Sequence, residues 1–144
     1  MKGFDQPYII SLCEKGEPET GYVTIAEHHE LIPFEVKRTF WTYNTPESHT
    51  RGNHAHKTTQ ELLVCVNGSI TVETSNTEGN TVSFVLDNPQ KALYLPPFVW
   101  RTIRYSNGAV LLVMASTVYD KSDYLMNQKK WLAYYTAEKQ MAEG

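Results

Sequence analysis

Arg51-Gly52-Asn53-His54-Ala55-His56, then Glu61, then Leu62-Leu63-Val64-Cys65-Val66 running into Asn67-Gly68, is the stretch whose reading decides the fold. Residues of equal parity on an extended chain point the same way, so His54 and His56 share one face of a sheet. The apolar run that follows reads as a buried strand, and Asn-Gly at its end is a strong hairpin signal. No other stretch concentrates as much titratable and anion-binding chemistry.

Moving outward, Ser69 to Thr74 alternates, with Ile70 and Val72 to one side and Ser69, Thr71 and Glu73 to the other. Thr81 to Leu86 returns after a polar turn, and Ala92 to Leu95 lies between Asp87-Asn88-Pro89 and Pro96-Pro97. Val99, Arg101, Ile103 and Tyr105 share a face, Asn107-Gly108 marks another hairpin, and Ala109 to Ala115 is nearly continuously apolar. Upstream, Tyr8 to Leu12, Tyr22 to Ala26 and Val36 to Tyr43 read as strands, Glu14 to Gly21 as a polar turn, and Glu27 to Pro33 as a loop carrying His28 and His29. About ten short strands at regular spacing predict a sandwich or barrel. After Ser116 the period lengthens: Asp120 to Asp123 reads as a turn and helix start, and Leu125, Trp131, Leu132 and Tyr135 suit one helical face. The expectation is an all-β, single-domain protein over residues 1–144, a jelly-roll barrel with a short C-terminal helix. Residues 127–144 form that helix or a tail that frays or leads into a further domain.

Composition excludes several classes. At 144 residues, 41% hydrophobic and 20% charged, the chain suits one globular domain with a proper core. Thirteen basic against sixteen acidic residues, with no Lys/Arg run, argue against nucleic acid but leave room for a localised basic pocket. No apolar run approaches the ~18 residues of a membrane span. The first residues lack the apolar segment of a signal peptide, so the cytoplasm is the expected compartment. Cys13 and Cys65 make no disulfide framework, and Cys65 fits a buried thiol.

His-x-His, a carboxylate and a hairpin glycine match the first sequence motif of the cupin barrels. Two inward histidines and Glu61 supply three ligands suited to iron, manganese or zinc. The usual fourth ligand, a histidine after a Pro-rich turn, falls on Arg101, which follows Pro96-Pro97-Phe98-Val99-Trp100. A guanidinium is not a metal ligand, and its charge repels a dication from the same cavity. The expected metal is therefore none. Without one, His54 and His56 serve as bases or donors titrating near neutrality. Arg51 and Arg101 offer planar forks for phosphate or for developing enolate charge. Together they suggest proton abstraction next to a carbonyl on a phosphorylated substrate. Two other readings stay open: a metal-dependent cupin using His54, His56 and Glu61, and a non-catalytic sugar-nucleotide-binding cupin.

The runs Arg51 to Lys57, Leu63 to Ser69, Tyr94 to Trp100 and Tyr119 to Tyr124, with Ile32-Pro33-Phe34, Lys37-Arg38 and Leu86 to Pro89, resemble the nucleotide-sugar 3,4-ketoisomerases. These are cupins similar to the dTDP-4-keto-rhamnose 3,5-epimerases. The resemblance covers about residues 20 to 126. It implies conversion of dTDP-4-keto-6-deoxy-D-glucose to the 3-keto sugar without any cofactor. His54 removes the C3 proton, an enediolate forms, and a proton returns at C4. His56 assists by shuttling protons to the sugar oxygens. Arg51, Arg101 and Tyr43 bind substrate, Arg51 through the pyrophosphate or the sugar oxygens. It further implies a homodimer exchanging N-terminal strands, and a pathway to 3-amino-3,6-dideoxyhexoses of lipopolysaccharide O-antigen. There the product passes to a PLP-dependent aminotransferase and then to an N-acyltransferase. Relatives often carry tyrosine where this chain has Phe40.

Overall fold

The alternation read along the chain is realised as two facing sheets in the computed structural model, which describes residues 6–28 and 31–144. The strands are β1 (Tyr8–Ser11), β2 (Cys13–Glu17), β3 (Gly21–Ile25), β4 (Arg38–Thr42), β5 (Thr50–His56), β6 (Glu61–Asn67), β7 (Ile70–Ser75), β8 (Thr81–Leu86), β9 (Lys91–Leu95), β10 (Trp100–Tyr105), β11 (Val110–Ala115) and β12 (Tyr124–Leu125). One α-helix, α1 (Gln128–Glu143), follows. The first sheet has the order β1-β9-β6-β11-β4 and the second β12-β5-β10-β7-β8, with every pairing antiparallel. This is the expected jelly-roll arrangement.

Burial explains the sequence pattern strand by strand. Leu63 and Cys65 of β6 and Leu111 and Val113 of β11 face Ile70, Val72, Leu86 and Ile103 of the second sheet. The opposite parity, Leu62, Val64 and Met114, is covered by Ile10, Leu12, Ile32 and Phe34. The first sheet is thus buried on both faces, which is why β6 and β11 read as continuous apolar runs and not as alternating ones. The outer face of β5 and β10 is closed by the helix. Trp131 packs on Trp100 at 5.4 Å between ring centroids, and its indole N–H donates to the Phe98 carbonyl at 2.7 Å.

Three expectations are corrected. Glu14 to Glu17, read as the start of a turn, belongs to the strand Cys13–Glu17, which pairs with β3 in a separate two-stranded ribbon. All five of its residues are exposed, so no burial pattern marked it. Tyr124 and Leu125 do not begin the helix. They pair with His56 and Ala55 at the edge of the second sheet, and the helix starts after Asn127, whose side chain caps the Lys129 and Lys130 amides. Only Trp131 of the helix is buried; Leu132 is exposed. Of the alternatives left open for residues 127–144, the structure has the helix, which runs to Glu143. His28 forms an isolated bridge with Ile32, and His29 lies outside the described residues.

Candidate active site

A β-bulge builds the site. On β5, Gly52 pairs with Thr102 and His54 with Arg101, leaving Asn53 as an extra residue. Gly52 and Asn53 both have positive φ, +83° and +53°. A Cβ on Gly52 would lie 2.9 Å from the Arg101 carbonyl oxygen, so only glycine lets β5 pass this close. The bulge also changes which side chains share a face. Arg51 and His54 differ by three positions, and strict alternation would oppose them. The extra residue restores Arg51, opposite Ile103, to the inner side with His54, opposite Arg101.

The inner side chains surround a cavity of about 150 Å³ lined by Arg51, His54, Glu61, Arg101, Tyr105 and Tyr124, with Phe40 and Thr42 from β4. His54 and His56 meet edge to face, with their Nε2 atoms 3.2 Å apart. His54 Nδ1 lies 2.9 Å from the Gly52 carbonyl oxygen, which can only accept, so His54 carries its proton there and Nε2 presents a lone pair. His56 is fully buried, and its Nδ1 donates to Asp123 at 2.9 Å. Asp123 also accepts from the Thr58 amide and hydroxyl at 2.8 and 2.7 Å and from the Thr59 hydroxyl. On its other side, His56 Nε2 lies 3.2 Å from His54 Nε2 and 3.4 Å from a Glu61 carboxylate oxygen. The Tyr124 ring covers both imidazoles at 5.1 and 4.4 Å.

Electrostatics set the roles apart. Burial, and then the nearby Arg101 guanidinium, lower the His54 pKa to about 3. The expectation of titration near neutrality is therefore corrected for His54, which stays neutral and basic in form through the physiological range. Burial alone would raise Glu61, but Arg101 and His56 outweigh it and hold the carboxyl well below the usual range. Burial would likewise raise Asp123, yet hydrogen bonds from His56, Thr59 and Thr58 hold it low. Burial pushes the Tyr105 phenol up; it hydrogen-bonds Thr42 at 2.9 Å.

Four of the five sequence-nominated residues come together here: His54, His56, Arg51 and Arg101. Tyr43 does not. Phe40 and Thr42 take the inward parity of β4, which leaves Trp41 and Tyr43 outward and largely exposed. His54, His56 and Glu61 place one ligand atom each within 4.8 Å of one another. They do not fit a cation well, because Arg101 fills the expected fourth position and its Nη1 hydrogen-bonds Glu61, the carboxylate a metal would need. Sequence reasoning did not nominate Asp123 or Tyr124 as site residues. Asp123 lies 67 positions from His56 and reaches it only through the β12–β5 register. The signal available was its place in the Tyr119 to Tyr124 run.

The fold and the paired inward histidines define a cupin with a buried pocket lined by titratable groups. Comparison with known proteins narrows this. A family model described as "FdtA: WxcM-like, C-terminal" matches residues 6–136, and the chain belongs to that family. A curated relative from Aneurinibacillus thermoaerophilus, TDP-4-oxo-6-deoxy-alpha-D-glucose-3,4-oxoisomerase, is 37% identical over 125 residues, covering 83% of this chain and 88% of its own length. The crystal structure of QdtA, a sugar 3,4-ketoisomerase from Thermoanaerobacterium thermosaccharolyticum in complex with TDP, superposes with a TM-score of 0.86 at 29% identity, over 92% of this chain and 96% of QdtA. A histidine-to-asparagine variant of QdtA, solved with TDP-4-keto-6-deoxyglucose, superposes at 0.84 and 29% identity, over 89% and 92% of the two chains.

Proposed function

We propose that this chain is a TDP-sugar 3,4-ketoisomerase acting on dTDP-4-keto-6-deoxy-D-glucose. The observation that carries the mechanism is the unprotonated Nε2 of His54, on the cavity wall and 3.2 Å from His56 Nε2, with Asp123 holding the His56 ring from behind. The C4 ketone acidifies the C3 hydrogen, and His54 Nε2 takes that proton as general base. The electrons form an enediolate across C3 and C4. The proton held on His54 is returned to C4, and the C3 hydroxyl proton passes to the C4 oxygen, so the carbonyl has moved from C4 to C3 with no net change in protons. His56 shuttles protons between the sugar oxygens and His54, with Asp123 holding its ring and balancing its charge. Arg101 is 2% exposed and lines the cavity, and its Nη2 has no hydrogen-bond partner, which suits a donor kept for the enediolate oxygen. Arg51 binds substrate oxygens at the other end of β5. The reaction moves hydrogen within one sugar and needs no redox cofactor.

The enzyme works as a homodimer that exchanges N-terminal strands. The β2–β3 ribbon supports this: it pairs with no other strand among the described residues and exposes Tyr22 and Val23. Isolated two-stranded ribbons are marginal in water and gain stability from a partner. Its compartment is the cytoplasm; no helix among the described residues is long and apolar enough to cross a membrane. The 3-keto product offers the carbonyl that a PLP-dependent aminotransferase requires, with N-acylation after it.

The test is exchange in D₂O. With dTDP-4-keto-6-deoxyglucose, NMR shows deuterium entering the sugar and the 3-keto product accumulating. His54→Asn lowers turnover by at least ~10²-fold while TDP binding persists. No label and no product from the wild-type chain would return the reading to a binding module. The metal-dependent reading rests on the His54, His56 and Glu61 cluster. Loss of activity on chelation, regained with one added divalent ion, would favour it.

A further inference from the structure

The carboxylate behind His56 has its acceptor positions filled. An ionised carboxylate has about four of them. The Thr58 amide and hydroxyl take Asp123 Oδ1, while His56 Nδ1 and the Thr59 hydroxyl share Oδ2. The two oxygens are served differently. Thr58 is exposed and acts on the oxygen that does not bond the imidazole. Thr59 is 0% exposed and acts on the oxygen that does.

Hydroxyl directionality fixes what Thr59 does. A threonine hydroxyl has one proton to give, and a carboxylate only accepts. The Thr59 proton therefore goes to Asp123, and in the 2.7 Å contact between Thr59 and Thr117 it is Thr117 that donates. The result is a directed row, Thr117 to Thr59 to Asp123, whose members polarise one another. Thr59 lies in the connection between β5 and β6, three residues after His56 and two before Glu61. That connection is tied to the chain after β11: the Gln60 amide donates to the Ser116 hydroxyl at 2.8 Å, and the Ser116 amide to the Gln60 carbonyl at 2.9 Å. The Lys57 amide donates to the Asp123 carbonyl at 2.8 Å. Backbone bonds thus hold Thr59 and Asp123 in register with each other.

Resting on the functional reading above, we infer that Thr59 is a positioning residue for the isomerisation: its hydroxyl holds Asp123 Oδ2 in line with His56 Nδ1, so that the imidazole turns Nε2 toward His54. Thr58 sets one end of the carboxylate and Thr59 the other, which fixes the plane of the group that aims the ring. Thr59 does not line the cavity, so it acts on the base only through Asp123 and His56.

Turnover of dTDP-4-keto-6-deoxyglucose and the His56 Hδ1 resonance of ¹⁵N-labelled protein test this together. Thr59→Val keeps the shape and removes the hydroxyl. It lowers kcat on the order of tenfold, the equivalent of one hydrogen bond to a charged group, with KM within about twofold. Thr59→Ser restores most of the loss. The Hδ1 resonance moves downfield in Thr59→Val, because Oδ2 relieved of one donor draws harder on the other, and Thr59→Ser returns it. Thr117→Val, at a partly exposed position one hydroxyl further out, moves the resonance the same way by less and lowers kcat roughly twofold. Wild-type kcat with an unmoved resonance in Thr59→Val overturns the assignment. So do parallel losses in kcat and KM that Thr59→Ser does not repair, which would make Thr59 a packing residue alone. Should Thr59→Val not fold, an unmoved resonance in Thr117→Val overturns it. A wild-type chain that turns nothing over overturns the functional reading, whereas the resonance, read without substrate, tests the Thr59 contact by itself.

Discussion

At the residue scale, the two histidines are made different by what each one touches. His54 is desolvated beside Arg101 and donates its only proton to the Gly52 carbonyl, so it is a neutral acceptor. His56 lies between Asp123 and Glu61, both held ionised, so it is a donor. One consequence is kinetic. The acid limb of kcat/KM does not follow an ordinary imidazole; activity holds through pH 6, because His54 protonates only near pH 3. A half-maximal point at pH 6.5 in the wild-type profile would contradict that assignment. Asp123→Asn is a second probe. It removes the charge facing His56 while keeping a side chain of similar shape, and lowers kcat by ~10²-fold with little change in TDP affinity. Equal losses in kcat and in TDP affinity would instead mean that the pocket had collapsed. His54 and His56 were legible because equal parity is a local property. Asp123 was not, because only strand pairing across 67 residues brings it to His56.

At the scale of elements, the bulge in β5 matters more than any single strand. Gly52-Asn53 in the left-handed region shifts the register against β10 and sets Arg51, His54 and Arg101 around one cavity. Gly52→Ala puts a methyl against the Arg101 backbone at positive φ. It costs about 1–3 kcal/mol of stability, read as a lower urea midpoint, and moves Arg101 away from Glu61. Unaltered stability and activity in this variant would mean the bulge tolerates a side chain. The short β12 has a comparable role. Two residues of pairing with β5 seat Asp123 under His56 and Tyr124 over it, and α1, anchored by Trp131, follows at once. The sequence read this segment as helical because two-residue strands carry no periodicity. Tyr43 was misplaced for a related reason: it has the parity of Trp41, and only pairing with β11 shows that Phe40 and Thr42 hold the inner face.

At the scale of the whole molecule, one buried network of opposite charges ties both sheets to the site: Glu61 on β6 of the first, Arg101 on β10 and His56 on β5 of the second, and Asp123 beside them. Its cost appears in acid. Below pH 6.5 the unfolded chain protonates His54 and the folded chain does not until about pH 3, so stability falls as pH drops across that window. Asp123 and Glu61 act with the same sign at lower pH: their folded pKa values are depressed, and the unfolded chain takes up protons first. Melting temperatures from pH 7 down to 4.5 therefore decline, and in His54→Asn they decline less, by about one proton in the linkage slope. Parallel curves would show that His54 titrates normally in the folded protein. By itself the sequence determined the barrel, most of its strands, the inward pair of histidines, and the arginine standing where a metal ligand would be, since each depends on alternation, hairpin signals or local spacing. Tertiary structure alone decided that Arg51 joins them across a bulge, that Asp123 backs His56, that Arg101 is held by Glu61, and that Arg38 reaches the Tyr124 hydroxyl from the other sheet. Those are contacts between strands far apart in the chain, and their register depends on pairing energies that no local pattern records.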